Sequence, residues 1–238
     1  MVILEHKGVR MPFKYNPFLG NLSWWECAQV PVRTDPHLFP HSVDGSMELI
    51  EVFNNAKDIY EKFTWTHSEW VDVVLDTVWP NTVLIKFNGV LGGVSGTYLF
   101  PTPMKRVYIL ALYYIHNTPY EFRVEVTNAT DRYSLRKLCP EGVLQIFSTI
   151  GGTESVLQEV TFPNSIGYKL CSLYAGRVPR IKQSVSLKSE SAGPICLNTS
   201  DSALQYFTGC DVFFHPREAG NDLEVRIIPP LIIRGTPA

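Results

Sequence analysis

Residues 120–127 alternate strictly between apolar and polar side chains. The apolar set is Tyr120, Phe122, Val124 and Val126, and the polar set is Glu121, Arg123, Glu125 and Thr127. Because successive side chains of an extended chain point to opposite sides, this period of two predicts a half-buried strand. The preceding residues, 107–115, are apolar nearly all round, which fits either a buried helix or a strand covered on both faces.

Short runs rich in aromatic and β-branched residues predict further strands. They lie at 62–70, 82–89, 96–101, 142–150, 155–163, 180–188, 203–216 and 222–230. Pro101 and Pro103 are expected to end the strand at 96–101, and the Pro229–Pro230 pair to end the last strand, because proline cannot donate a ladder hydrogen bond.

The best helix pattern lies at residues 46–63, where apolar side chains recur three and four positions apart. Ser46 can cap its N-terminus, and the Asn54–Asn55 pair weakens its middle enough to allow a break into two short turns. The other signals amount to about eight or nine strands separated by turn residues, which favours an all-β sandwich, barrel or jelly roll.

The N-terminal residues 1–45 are rich in proline and aromatic side chains and predict an extended arm, followed by a single domain at 46–238. Trp24 and Trp25 are adjacent, so one strand would bury only one of them. The other would pack on the protein's own core or on a partner chain. The first residues have too short an apolar run for a signal peptide, and no stretch of apolar residues is long enough to predict a membrane span.

The composition supports a packed core, since the chain is 45% hydrophobic and 18% charged. The formal net charge of −2 gives no bulk signal for nucleic-acid binding. The five cysteines are Cys27, Cys139, Cys171, Cys196 and Cys210, and none forms a Cys-x-x-Cys pair. We therefore expect buried free thiols in a reducing compartment rather than a zinc site.

Motifs for catalysis are weak or absent. Residues 92–97, Gly-Gly-Val-Ser-Gly-Thr, fail the nucleophile-elbow pattern at Thr97 and predict a flexible connection between strands. His37 and His41 lie among prolines, where their spacing does not indicate a metal site. The carboxylates are dispersed along the sequence, so no acid–base pair can be named. We predict no catalytic, cofactor-binding or metal-ligating residues, and no enzyme activity.

The densest basic cluster is at residues 175–183. It predicts a solvated loop, with contact to a phosphate or an acidic partner surface as the alternative.

An ordered set of motifs runs through residues 46–230. It comprises ELIEVFNNAKDIYEKFTWTHSEW (48–70), GTYLFPTP (96–103), MKRVYILALYYIH (104–116), YEFRVEVTNATD (120–131), VTFPNSIGY (160–168), FTGCDVFFHP (207–216) and LEVRIIPPL (223–231). In this order the motifs resemble the capsid proteins of picorna-like viruses, in particular the dicistrovirus, iflavirus and secovirus families. The sequence departs from that pattern at 116–119 and at Pro163–Asn164, and it lacks an Asp-Asp-Phe self-cleavage motif.

The resemblance implies an eight-stranded antiparallel jelly-roll β-sandwich with an extended N-terminal arm and one or two short helices, one of them at 104–116. It also implies a structural subunit of a non-enveloped icosahedral virion, assembled in the host cytoplasm with related capsid subunits. Residues 1–45 would lace neighbours together. Because the chain is nearly neutral, we expect only weak or indirect contact with the packaged RNA. A host receptor would be a further partner.

Two other functions remain open. The first is a lectin-like jelly-roll module that binds carbohydrate or protein and exposes aromatic residues beside carboxylates in one cleft. The second is a cupin-like enzyme, which needs two or three histidines and a carboxylate converging inside the barrel.

Overall fold

The computed structural model describes residues 2–6, 9–13, 48–89, 91–116, 119–139, 142–161, 167–175, 180–184, 195–198, 204–220 and 222–238. Within these ranges the chain forms antiparallel strands and one short helix, α1 (Ala56–Lys62). The strands are β1 (Val2–His6), β2 (Val9–Phe13), β3 (Glu48–Phe53), β4 (Thr64–His67), β5 (Val71–Leu75), β6 (Val83–Phe87), β7 (Val94–Ile115), β8 (Tyr120–Asn128), β9 (Asp131–Cys139), β10 (Val143–Ile150), β11 (Thr153–Thr161), β12 (Gly167–Ala175), β13 (Arg180–Ser184), β14 (Ile195–Asn198), β15 (Phe207–Pro216) and β16 (Glu224–Pro237).

Two sheets share one long strand. Sheet A has the order β11-β10-β9-β8-β15-β7-β4. Sheet B has the order β14-β13-β12-β7-β16, with β3 and β6 along the far side of β16 and β5 outside β6. The N-terminal half of β7 pairs with β4 and β15, whereas its C-terminal half pairs with β12 and β16. β1 and β2 form a separate hairpin.

The sheets face each other across one apolar core. Tyr113 of sheet B packs its ring against Phe122 and Phe214 of sheet A, with centroid distances of 4.0 and 6.1 Å. Strand β12 also approaches β8 and β9, with which it forms no ladder. The predicted antiparallel all-β sandwich is therefore confirmed.

Strand β8 lies where the alternation at 120–127 places it, and its apolar set is part of the core. The polar set is also largely buried, because Glu121 and Thr127 are each 9% exposed and Glu125 is 2% exposed. The expectation of a half-buried strand is therefore wrong for the outer face. Polar side chains of neighbouring strands cover one another there.

A lysine faces the core from β9. Lys137 lies directly opposite Phe122 on β8 and Leu144 on β10, both of which are core residues. Its side chain is fully buried. Burial lowers the pKa of Lys137 to about 8, against the smaller opposing effect of Cys139.

The apolar segment 107–115 is a strand covered on both faces. Ile109 and Tyr113 belong to the core, while Tyr108 and Leu112, on the opposite face of β7, are at most 1% exposed. The helix that the capsid resemblance implies at 104–116 is therefore wrong. Burial of both faces removes the alternation that identifies a strand.

Neither proline pair ends its strand. β7 continues through Pro101 and Pro103, and β16 continues through the Pro229–Pro230 pair. The β15–β7 ladder shifts register between Phe207 and Gly209, beside the first pair, and the β16–β7 ladder shifts across the second pair. Proline is tolerated at such irregularities because no regular ladder hydrogen bond is lost there.

The helix predicted at 46–63 covers only the second half of that segment. Its first half forms β3, which pairs with β16 instead. The Asn55 side chain caps α1 by accepting a hydrogen bond from the Asp58 backbone N–H at 2.9 Å. The break at the Asn54–Asn55 pair thus separates a strand from a helix.

The strand count exceeds the prediction, with fourteen strands in the shared network of the described residues. The sequence analysis did not predict β5, β9, β12 or β14. Part of the predicted arm, residues 2–13, forms the β1–β2 hairpin, whereas Trp24 and Trp25 lie outside the described residues. No helix in the described ranges is long and apolar enough to cross a membrane.

Candidate functional site

The outer side of sheet A carries charged and aromatic residues from four adjacent strands. We call this surface the charged face. Its members are Asp211, Phe213 and His215 on β15, Glu121, Arg123 and Glu125 on β8, Arg132, Ser134 and Arg136 on β9, and Gln145, Phe147 and Thr149 on β10. The register places Phe213, Arg123, Arg136 and Gln145 in one row across the strands.

Arg123 is the centre of the charged face. Its Nε lies 2.5 Å from Glu121 Oε1 and its Nη1 lies 3.8 Å from Glu125 Oε1. The guanidinium also lies between the rings of Phe147 and Phe213, 5.0 and 5.1 Å from their centroids. Charged hydrogen bonds and cation–π contacts therefore use most of what Arg123 offers a ligand.

Glu125 is held by β9. It accepts a hydrogen bond from the Ser134 hydroxyl at 2.8 Å and from Arg132 Nη1 at 3.2 Å. Arg136 forms a second ion pair with Glu121 at 2.8 Å. Since these partners lie on the same face, most of its polar groups bind one another.

Two carboxylates face each other on this surface, since Asp211 is directly opposite Glu125. Burial raises the pKa of Asp211, and Glu125 raises it further, while a hydrogen bond with Thr97 and the charge of Arg132 oppose the shift. The sequence showed only dispersed carboxylates, and the sheet brings three of them together. Asp211 Oδ1 is buried without a hydrogen-bond partner.

A second, more open surface lies at the free edge of sheet B, which we call the Trp70 face. Its members are Trp70, Asp72 and Val74 along β5, Lys86 and Asn88 along β6, and Glu224 on β16. Lys86 lies opposite both Asp72 and Glu224 in the ladders. The side chains of Asp72, Lys86 and Asn88 are exposed.

Trp70 is 54% exposed and lies in the turn between β4 and β5. The Asn88 backbone N–H donates to the Trp70 carbonyl at 3.2 Å, and the Asn88 side-chain amide donates to Asp72 Oδ2 at 3.0 Å. Among the described residues, Trp70 makes no ring or cation contact, whereas Trp65 stacks on Phe63 and Trp79 on Tyr114. The indole is thus positioned beside a carboxylate–amide pair and open to solvent.

The motifs of the sequence analysis do not form a site. Ser95 of the segment 92–97 lies on β7, so the strand-to-helix turn of a nucleophile elbow is absent there. His37 and His41 lie outside the described residues. Cys139 and Cys210 are buried and free, as predicted.

The basic cluster at 175–183 is only partly described, since residues 176–179 lie outside the described ranges. Its last residues belong to β13 rather than to a loop. The described residues hold no group of three or more His, Cys, Asp or Glu side chains suited to a metal ion.

Sequence reasoning missed both faces for the same reason. The charged face joins β8 to β15 across a long sequence separation, and only the sheet register brings them together. Trp70 was predicted within a strand at 62–70. An aromatic residue at a turn followed by an exposed aspartate was the available signal.

No family model matches the chain, and no match was found among curated proteins. Solved structures share its fold. A Bacillus subtilis protein of unknown function with a galectin-like fold matches 80% of this chain and 99% of its own, with a TM-score of 0.54 and 8% identity. The fold is a galectin-like β-sandwich.

The binding domains of botulinum neurotoxin serotypes C1 and D/C (VPI 5993) each match 81% of this chain, with a TM-score of 0.50 and 12% identity. The match spans 49% of each of those chains. At such low identity, these likenesses establish the fold alone.

Proposed function

We propose that this galectin-like sandwich is a lectin-like module that binds carbohydrate on the Trp70 face. The observation that carries the proposal is the half-exposed indole of Trp70 beside the Asp72–Asn88 pair. The lectin-like alternative in the sequence analysis requires this combination of an exposed aromatic side chain and a carboxylate.

The chemistry of a sugar suits this arrangement. One side of a pyranose ring presents C–H groups, which pack on the electron-rich face of an indole. Its hydroxyls both donate and accept hydrogen bonds. The Asp72 carboxylate accepts only, while the Asn88 amide can donate and accept, so together they can orient a sugar stacked on Trp70.

The charged face of sheet A is a weaker candidate for ligand binding. Glu121, Glu125 and Gln145 are each at most 9% exposed, and the first two are paired with arginines. A ligand would have to displace buried ion pairs, which is costly. We therefore assign binding to sheet B.

The capsid role implied by the sequence resemblance stays a prediction. Its proposed partners, other capsid chains and packaged RNA, and its location in a virion are predictions of the same kind. No feature of the described residues favours that role over carbohydrate binding.

The test is a binding screen with uncharged oligosaccharides of glucose, galactose, mannose and N-acetylglucosamine, followed by titration calorimetry of any hit. We expect Trp70→Ala to weaken binding at least tenfold, about 1.4 kcal/mol. The matched control is Tyr206→Ala, because Tyr206 is 45% exposed and precedes β15 at the other end of the sandwich. A hit whose affinity is equal in wild type and Trp70→Ala would refute the assignment, as would the lack of any hit.

A further inference from the structure

A cleft lies at the opposite end of β5 from Trp70. It has a volume of about 490 Å³, within the range of small-molecule sites. It lies between α1 and the end of β5, and its lining includes Lys57, Asp58, Glu61, Leu75 and Asn81.

The polar groups of this cleft differ in how far they are already used. The Asn81 side-chain oxygen accepts from the Ala56 backbone N–H at 2.8 Å and fixes the start of α1. Lys57 and Glu61 form an ion pair at 3.6 Å, and their side chains are 68% and 57% exposed. An exposed pair of this kind is weak, so both groups can exchange it for contacts with a ligand.

Strand β5 connects the cleft to the Trp70 face. At about 3.3 Å per residue, the chain from Trp70 to Leu75 spans about 17 Å. Along this path Asp72 is exposed, and Val74 and Leu75 are each 42% exposed. The exposed side chains form one continuous strip rather than two isolated spots.

Carboxylates outnumber cations along the strip. The cleft is lined by Asp58, Glu61 and Asp76 with Lys57, and the Trp70 face adds Asp72 and Glu224 with Lys86. An anionic sugar would meet a net negative potential at both ends, whereas an uncharged sugar would not.

We propose that the ligand is an extended, uncharged oligosaccharide that stacks one sugar on Trp70, runs along β5, and places a further sugar in the cleft beside Lys57 and Glu61. This inference rests on the proposed function. It adds the chemical class of the ligand, its minimum length, and a second subsite.

The experiment compares oligosaccharides of increasing length, from disaccharide to hexasaccharide, in one uncharged series that binds the full chain. We expect the affinity to rise at least tenfold with length and then level off. The double variant Lys57→Ala/Glu61→Ala should bind the disaccharide like wild type and lose the gain with length. Trp70→Ala should weaken binding of all lengths.

The outcomes separate the two proposals. An affinity independent of length, or an unchanged gain in the double variant, would overturn the second subsite while leaving Trp70-dependent binding intact. Binding that does not depend on Trp70 at any length would overturn both. An oligogalacturonate, which is anionic, should bind at least tenfold more weakly than its uncharged counterpart, and tighter binding would refute the ligand class.

Discussion

The buried amine of Lys137 makes a specific prediction about stability. In the unfolded chain its pKa takes the ordinary lysine value of 10.5, while in the folded protein burial lowers the pKa to about 8. Between these values the native state binds fewer protons than the unfolded state, so the free energy of unfolding rises with pH.

The magnitude follows from the two values. The lowering from 10.5 to about 8 corresponds to a destabilisation of about 3 kcal/mol. This penalty is fully present below pH 8 and disappears as the pH approaches 10.5. Lys137→Met keeps a long, unbranched side chain of similar size and removes the charge.

We therefore expect Lys137→Met to raise the free energy of unfolding by up to about 3 kcal/mol at pH 7 and by much less at pH 10. Urea unfolding of both proteins across this range, followed by tryptophan fluorescence, measures the difference. The matched control is Lys105→Met, because Lys105 is exposed on β7. Its difference from wild type should be small and independent of pH.

Two results would refute the reasoning. If Lys137→Met were no more stable than wild type at pH 7, burial of the amine would not be the cost that we assign to it. If the gain were equal at pH 7 and pH 10, the effect would come from packing rather than from protonation.

Two further predictions concern packing and charge at other positions. Burial alone would raise the pKa of Asp76, but hydrogen bonds from the backbone N–H groups of Trp79 and Val78 and from Arg226 lower it. Asp76→Asn should cost about 3 kcal/mol at pH 7, because Arg226 is buried. The difference should shrink as acid protonates Asp76 below its ordinary pKa, and urea unfolding at pH 7 and pH 3 checks this. Gly96→Ala should cost about 1–3 kcal/mol in the same assay, since the new Cβ would overlap the Trp65 ring, and an unchanged midpoint would contradict that overlap.

Local sequence pattern predicted those parts of the fold in which one face of an element is buried. Tyr120 to Val126 alternate, and the strand is where they predict it. Residues 107–115 carry no such alternation because both faces are covered, so a strand and a buried helix cannot be told apart locally. The same segment belongs to two sheets, which no local pattern encodes.

The sites were less predictable than the fold. Glu125 and Asp211 are opposite each other only because β8 and β15 are neighbours in the ladder. Lys137 is a polar residue at a core position, which contradicts the rule that such positions are apolar. Trp70 gains its setting from Asn88, a residue of the next strand, and sequence alone does not indicate that pairing.

Strand β7 has a consequence for how the protein comes apart. Because its two halves are central in different sheets, neither sheet can dissolve while the other keeps all of its ladders. Unfolding should therefore be all-or-none for the sandwich. Backbone amides on both sides of Pro101 and Pro103 should exchange with deuterium at the same slow rate. A circular permutant opened between these prolines should lose both halves together.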